Sequence, residues 1–104
     1  ALVIVSSTTG IKVVEIPHDY TLYQNYPNPF NPSTEIKYAI PQESKVRIDI
    51  YSILGELVKT LVNDFQTAGN YSVAFDASRF ASGIYFYRLT ANSTIITKKM
   101  LLIK

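Results

Sequence analysis

Nucleophilic catalysis needs a base beside a nucleophile, and this chain supplies one histidine and no cysteine. The histidine, His18, stands between Pro17 and Asp19 in a segment with the character of a linker. The sequence contains no G-x-S-x-G elbow, the turn that would expose a serine nucleophile. A lone histidine of this kind is more simply interpreted as an exposed loop residue than as a general base. The sequence therefore predicts no catalytic residue.

Paired carboxylates could hydrolyse a glycoside or hold a metal ion, but the acidic residues here occur singly. The eight acids are Glu15, Asp19, Glu35, Glu43, Asp49, Glu56, Asp64 and Asp76. We interpret them as solubilising charges on solvent-facing positions. Without cysteine, most zinc arrangements are excluded, and a calcium site on Asp76 lacks a supporting D-x-D-x-D-G run. The glycines form no phosphate-binding loop, so we expect no metal and no cofactor.

The aromatic residues allow a different function, a platform on which a sugar could stack. The candidates are Tyr20, Tyr23, Tyr26, Phe30, Tyr85, Phe86 and Tyr87. The simpler interpretation is that they fill a small core, and the absence of tryptophan weakens the sugar hypothesis. A passive structural or carbohydrate-binding domain attached to an extracellular enzyme is the alternative function.

Composition limits the partners. The 104 residues suit a single domain, and a net charge of +2 gives no reason to expect nucleic acid. No apolar run approaches the roughly 18 residues that a membrane-spanning helix requires, so no membrane span is predicted. The opening "ALVIV" lacks a basic flank and an initial Met, and we interpret it as the cut edge of a longer protein.

Period-two alternation predicts the secondary structure from residue 34 onward. Apolar and polar residues alternate in "TEIKYAI", "KVRIDIYS" and "YSVAFD", as is typical of half-buried antiparallel strands. The segments 84–91 and 93–104 flank Asn92-Ser93 and indicate a hairpin. Several short strands at near-regular spacing predict an all-β fold, an antiparallel β-sandwich.

Two segments are ambiguous. In "GELVKTLVNDFQ" the apolar spacing fits one face of a helix, although its β-branched residues and its neighbours favour a strand. Residues 1–19 could form a hairpin, or could be the last strand of an upstream domain followed by a linker. We expect the sandwich itself to span residues 20–104.

The segment "QNYPNPFNPST", residues 24–34, is too rich in proline for a helix or a central strand. Pro27, Pro29 and Pro32 restrict their own φ and bias the preceding residues towards extended backbone. We expect residues 24–33 to form a stiff strap across one end of the sandwich, with Tyr26 and Phe30 packed inward. The strap would direct the preceding linker away from the domain.

Five blocks in order resemble a known family. "LYQNYPNPFNPSTEIKYAIP", "VRIDIYSILGELVKTLV", "AGNYSVAFDAS", "ASGIYFYRLTA" and "KKMLLIK" are similar to the C-terminal sorting domains, type A, of the type IX secretion system of Bacteroidetes and related phyla. The Ig-like domain of flagellar hook-capping proteins is related. The resemblance implies an Ig-like sandwich of about seven strands, in which residues 57–62 form a strand.

The resemblance also implies a non-enzymatic function. Such a domain directs an upstream cargo domain in the same chain through the outer-membrane type IX translocon. A sortase-like peptidase at the cell surface then removes it, cutting in this chain between about residues 6 and 20. The protein would be secreted, pass through the periplasm and reach the cell surface or the medium. Exposed edge strands would also allow a weak homodimer.

The motifs of this family can be matched to individual positions of this sequence. The resemblance implies that the sorting motifs are represented by Gly69, Tyr71, Gly83, Tyr85, Phe86, Lys99 and Lys104. The glycines and tyrosines could equally serve only to build the fold, so the terminal lysines are the better candidates for contact with the translocon. Where the family often has Trp-Asp-Gly this chain has Phe75-Asp76-Ala77, a difference that we expect to concern packing and turn geometry.

Overall fold

The computed structural model describes the backbone of residues 2–7 and 10–104 and the side chains of residues 16–104. Every regular element in these residues is a strand, as the alternating pattern predicted. The strands are β1 Leu2–Ser7, β2 Gly10–Glu15, β3 Thr21–Leu22, β4 Ser33–Ile40, β5 Ser44–Ser52, β6 Leu57–Gln66, β7 Gly69–Asp76, β8 Gly83–Ala91 and β9 Thr94–Leu102.

Strands β1 and β2 pair with each other in an antiparallel two-stranded sheet. Their register runs from Leu2 opposite Glu15 to Ser7 opposite Gly10. The backbone in this part of the chain is therefore arranged as two paired strands. The assignment of residues 1–19 to a linker or to an upstream domain stays a prediction.

The remaining seven strands, β3 to β9, form two antiparallel sheets. One has the order β3-β4-β7 and the other the order β6-β5-β8-β9. This is the strand division of an Ig-like sandwich in which the fourth strand of the sandwich, β6, joins the sheet of β5, β8 and β9. The predicted all-β sandwich of about seven strands is confirmed.

The core lies between the two sheets and is filled from alternate positions of the strands. Its largest fully buried side chains are Tyr38, Tyr87, Phe30, Phe75, Ile36, Ile40, Ile48, Ile50, Leu89, Met100, Leu102 and Val46. The β8–β9 hairpin turns through Asn92 and Ser93 as predicted, with Asn92 at φ +53°. Asparagine tolerates that left-handed backbone better than most residues, which suits it to this turn.

The pairing of strand β6 explains why the spacing of its apolar residues resembles that of a helix. Its register with β5 shifts twice, between Ile48 and Asp49 and between Ile50 and Tyr51. The shifts leave Leu61 and Val58 without direct partners, so each is the extra residue of a β-bulge. Both still pack against the core. Two extra residues change the alternation, and the apolar spacing that results resembles a helical repeat.

A buried polar network joins the two sheets at the beginning of the strap. The Tyr87 hydroxyl, on β8, donates to the Tyr23 carbonyl at 2.7 Å and accepts from the Asn25 backbone N–H at 2.8 Å. Asn25 is 2% exposed, and its Nδ2 donates to Thr34 Oγ1 at 3.0 Å. Each of these buried polar groups is therefore satisfied by another strand or by the strap.

We predict that Tyr87 makes the domain sensitive to alkali. Burial raises the pKa of Tyr87 from 10.0 to about 12. The unfolded chain therefore ionises first, so the stabilisation is complete below pH 10 and is lost as the pH rises through about 12. Chemical denaturation across this range should show a smaller loss of stability with pH in Tyr87→Phe than in the wild type.

The same variant should be less stable at neutral pH by about 1–3 kcal/mol, because Tyr23 and Asn25 lose a buried partner. Tyr51→Phe is the matched control, since Tyr51 is half-exposed on the outer face of β5. Equal stability of Tyr87→Phe and the wild type at pH 7 would contradict the network.

Candidate functional site

The strap, residues 24–33, pairs through its backbone with both sheets. Tyr26 exchanges two hydrogen bonds of 3.0 Å with Glu35 of β4. Further along, the Phe30 N–H donates to the Leu101 carbonyl at 3.0 Å, and the Ile103 N–H donates to the Phe30 carbonyl at 3.1 Å. The second pairing is a parallel bridge to the end of β9. The strap therefore fastens the last strand to the segment that enters the sandwich.

Strap side chains extend this pairing along β9. Gln24 Nε2 donates to the Lys99 carbonyl at 2.8 Å, and Asn28 Oδ1 accepts from the Leu101 N–H at 3.0 Å. An edge strand normally leaves such groups open to another chain. From Lys99 to Ile103, the strap occupies this edge.

The three strap prolines are exposed, and each is preceded by a cis peptide bond. Proline has no N–H, so Pro27, Pro29 and Pro32 leave no unpaired backbone donor where the strap runs between sheets. The Pro27 carbonyl accepts from Asn25 Nδ2 at 3.2 Å and from Thr34 Oγ1 at 2.9 Å. The strap is thus held by hydrogen bonds at Pro27, and also at Pro32, whose carbonyl accepts from the Ala77 N–H at 2.8 Å.

The two aromatic residues of the strap lie in opposite environments. Phe30 is 2% exposed, and its ring lies 6.1 Å from that of Phe75. Tyr26, which we predicted to pack inward, is 82% exposed, so that prediction was wrong. Tyr26 pairs directly with Glu35, and residues opposite each other on antiparallel strands point to the same face. Because Glu35 faces solvent, Tyr26 does too.

We predict that Phe30→Ala destabilises the domain by about 3–5 kcal/mol, because it removes a buried ring and leaves a cavity. Tyr26→Ala, four residues earlier in the same strap, should change stability by less than about 0.5 kcal/mol. Urea denaturation of both variants measures the difference. An unchanged midpoint for Phe30→Ala would show that the strap is not packed.

The G-x-Y motif positions form two matching corners. Tyr71 donates from its hydroxyl to the Thr67 carbonyl, and Tyr85 donates to the Ala81 carbonyl, each at 2.6 Å and each four residues upstream. The arrangement is similar to the tyrosine corner of Ig-like domains, in which a hydroxyl binds backbone a few residues earlier. The Tyr71 ring also stacks on Tyr38 with centroids 5.4 Å apart.

A glycine stands two residues before each corner tyrosine, at the first residue of its strand. Gly69 has φ +156° and Gly83 has φ +153°, which side-chain-bearing residues rarely adopt. A Cβ atom at Gly83 would meet nothing within 4 Å, so the requirement is conformational and not steric. The geometry gives these glycines and tyrosines a role in building the fold, and their role in sorting stays a prediction.

We predict that Gly83→Ala destabilises the domain by about 1–3 kcal/mol through backbone strain alone. Tyr85→Phe should cost about 1 kcal/mol, because Ala81 then loses a partly buried hydrogen bond. Tyr71→Phe is the comparison, and its effect should be smaller because its bond is exposed. Equal melting temperatures for Gly83→Ala and the wild type would argue against this account.

The other motif residues lie on the surface. Phe86 is half-buried on the outer face of β8, directly between Tyr51 of β5 and Lys99 of β9 in the register. Lys104 has a different position, because its backbone N–H donates to Ser82 Oγ at 2.9 Å and its Nζ donates to the Ser78 carbonyl. Lys99 and Phe86 therefore share one face of the four-stranded sheet, whereas Lys104 is bound to the loop after β7.

One acid does not fit the predicted role of solubilising charge. Asp49 is 4% exposed, because Arg47 and Thr60 cover it on the outer face of the sheet. Arg47 Nη2 lies 3.1 Å from Asp49 Oδ1, and this hydrogen bond raises the pKa of the guanidinium. Alternation alone could not have found this pair, since Asp49 occupies a position that faces outward in the pattern.

Asp76, the residue considered for calcium, has a local partner. Its carboxylate accepts hydrogen bonds from the Ser78 hydroxyl and from the Ser78 N–H at 2.9 Å, and these lower the pKa of Asp76. Among residues 16–104, no group of three or more histidine, cysteine or acidic side chains is placed to hold a metal ion. His18 is exposed, as the sequence indicated.

The aromatic residues do not form a common sugar-binding platform. Phe30, Tyr85 and Tyr87 are buried, with exposures of 2%, 8% and 0%. Tyr26 projects outward from the strap, and Phe86 lies on the outer face of the four-stranded sheet. The interpretation of the seven aromatics as core residues therefore holds for the three buried rings and for Tyr20, which packs against the core. It does not hold for Tyr26, Phe86 or Tyr23, the last of which is 49% exposed.

The fold and these surfaces define a class: an Ig-like β-sandwich whose first and last segments are fastened together at one edge. A search against families of known proteins matches the secretion system C-terminal sorting domain over residues 24–104. The chain belongs to this family, the C-terminal sorting domains of type IX secretion, as its sequence motifs predicted. Membership implies a protein exported to the cell surface or the extracellular space.

Searches of curated proteins and of solved structures found no match. In the part of the chain that the structure describes, no helix is long and apolar enough to cross a membrane.

Proposed function

We propose that residues 20–104 direct an upstream cargo domain of the same chain through the outer-membrane type IX translocon. A sortase-like peptidase at the cell surface then cuts the chain between about residues 6 and 20. The observation that supports this proposal most strongly is the family match, which spans the strap, both tyrosine corners and the terminal lysines. The domain passes through the periplasm, and it takes no part in the chemistry of its cargo.

The geometry supports recognition of a folded domain. The end of β9 is held by the strap, and Lys104 is seated on the loop that carries Ser78 and Ser82. The sorting-motif residues therefore occupy defined positions on the sandwich instead of forming a free tail. Lys99 and Phe86 offer the part of the motif that lies on the outer face of the four-stranded sheet, and the corner residues hold the strands that carry it.

A fusion experiment tests the proposal. Residues 1–104 are placed behind an N-terminal signal peptide and a fluorescent reporter, and are expressed in a host that has the type IX system. We expect the reporter at the cell surface. Removing residues 98–104 should leave it in the periplasm, because this deletion takes away the terminal lysines and the strap's contacts on β9.

Two controls make the result specific. Deletion of residues 6–19 should preserve delivery but abolish cleavage, since the sandwich remains and the proposed cleavage segment is lost. Circular dichroism of the truncated domain separates a loss of signal from a loss of fold. A full-length fusion that stays in the periplasm of a competent host would overturn the proposal and favour a passive accessory domain.

A further inference from the structure

The outer faces of the two sheets differ in chemistry. On the three-stranded sheet, exposed strand positions hold small or polar side chains, such as Ser72 and Ala74, and the large exposed ring of Tyr26, on the strap, lies on this face beside Glu35. Among its charged residues, Glu35 and Lys37 are paired with each other, with 3.7 Å between Lys37 Nζ and Glu35 Oε1, and Asp76 accepts hydrogen bonds from Ser78. Such a face is typical of a solvated surface.

The four-stranded sheet carries large apolar and aromatic groups on its outer face. The register places Tyr51 beside Phe86, and Phe86 beside Lys99, in one row across β5, β8 and β9. Ile84 and Leu101 form the adjoining pair and are half-buried. The row therefore continues as an apolar surface towards the edge of the sheet where the strap lies.

A recess lies at the end of this row, between the strap and the β8–β9 pair. It has a volume of about 150 Å³ and is lined by Asn28, Ile84, Lys99, Met100 and Leu101. Its floor is mainly apolar, while Lys99 and Asn28 supply hydrogen-bond donors. The size suits one apolar side chain and not a larger ligand.

The same face carries positive charge without an acidic partner. Arg88 stacks over the Tyr51 ring at 4.8 Å and donates to Thr97 Oγ1, but it forms no ion pair with any described residue. Lys99 likewise has no acidic partner in residues 16–104. Asp49, the acid opposite Arg88, is already engaged by Arg47. The face therefore complements an acidic surface.

We propose that the recess and the Tyr51–Phe86–Lys99 row dock the secretion machinery, by accepting an apolar side chain that lies next to a carboxylate on a protein partner. The apolar side chain enters the recess, and the carboxylate meets Lys99 at its rim. Aromatic residues and arginine are enriched in protein interfaces, and opposite charges add specificity. This inference rests on the proposed function and adds which face of the sandwich is recognised.

The test compares charge reversal on the two faces in the same reporter fusion. Lys99→Glu should lower surface delivery about tenfold, because it places a repulsive charge against the partner's carboxylate. Lys37→Glu on the opposite sheet makes the same change at an exposed strand position, and should leave delivery within about twofold. Ile84→Thr, which makes the floor of the recess polar, should also lower delivery about tenfold.

The melting temperature of each variant is measured first. If Ile84→Thr unfolds the domain, Lys99→Gln takes its place, and should lower delivery less than Lys99→Glu because it removes the charge without reversing it. Normal delivery of folded Lys99→Glu would overturn the docking surface while leaving the sorting function intact. Failure of the wild-type fusion would instead overturn the sorting function.

A lipid surface is the competing partner for a cationic aromatic face. Flotation of the purified chain with phosphatidylglycerol vesicles distinguishes the two. We expect the wild-type chain to bind these vesicles no more strongly than the Lys37→Glu variant does. Vesicle binding that Lys99→Glu abolishes and Lys37→Glu retains would overturn docking to a protein.

Discussion

The pairing of Phe30 with the last strand is the contact on which the rest of the domain depends. Its backbone bonds to Leu101 and Ile103 while its ring fills the core against Phe75. One residue thus fastens the N-terminal side of the sandwich to its C-terminal end. Because β9 is held there, Lys104 reaches the loop at Ser78, and the recess between the strap and β8–β9 exists.

The strap also resolves the problem of an open sheet edge. An exposed edge strand can pair with any extended chain, which is a hazard for a domain that is exported. Here the strap pairs with the open backbone groups of β9 through both backbone and side-chain hydrogen bonds. Asn28 and Gln24 supply the side-chain bonds where the strap backbone does not itself pair with β9. The stiffness that its prolines impose keeps these partners in place without a regular strand.

The residues that we propose as the sorting motif fall into two structural groups. Gly69, Tyr71, Gly83 and Tyr85 make two corners with the same hydrogen bond and the same unusual glycine backbone. Phe86 and Lys99 lie on the outer face of the four-stranded sheet, where a partner can reach them. Residues of one family motif therefore hold two corners of the fold together and also form an accessible surface on the four-stranded sheet.

Much of the fold followed from sequence, since alternation in β4, β5 and β7 correctly separated the positions that face the core from those that face outward. Periodicity alone could not assign β6, because two bulges displaced Leu61 and Val58 from the alternating pattern. Tyr26 was misplaced because its direction depends on pairing with Glu35, a contact with β4 that composition does not reveal. The Tyr87–Asn25 network and the Arg47–Asp49 pair were missed for the same reason: each joins residues through tertiary structure.

The most direct test of the fastening is native-state hydrogen exchange at the amides of Phe30, Leu101 and Ile103. If the strap holds β9, these amides should exchange only through opening of the sandwich, as slowly as the amides of the central strand β8. Exchange as fast as that of the exposed turn at Leu54 and Gly55 would contradict the account, because the strap would then be released while the domain stays folded.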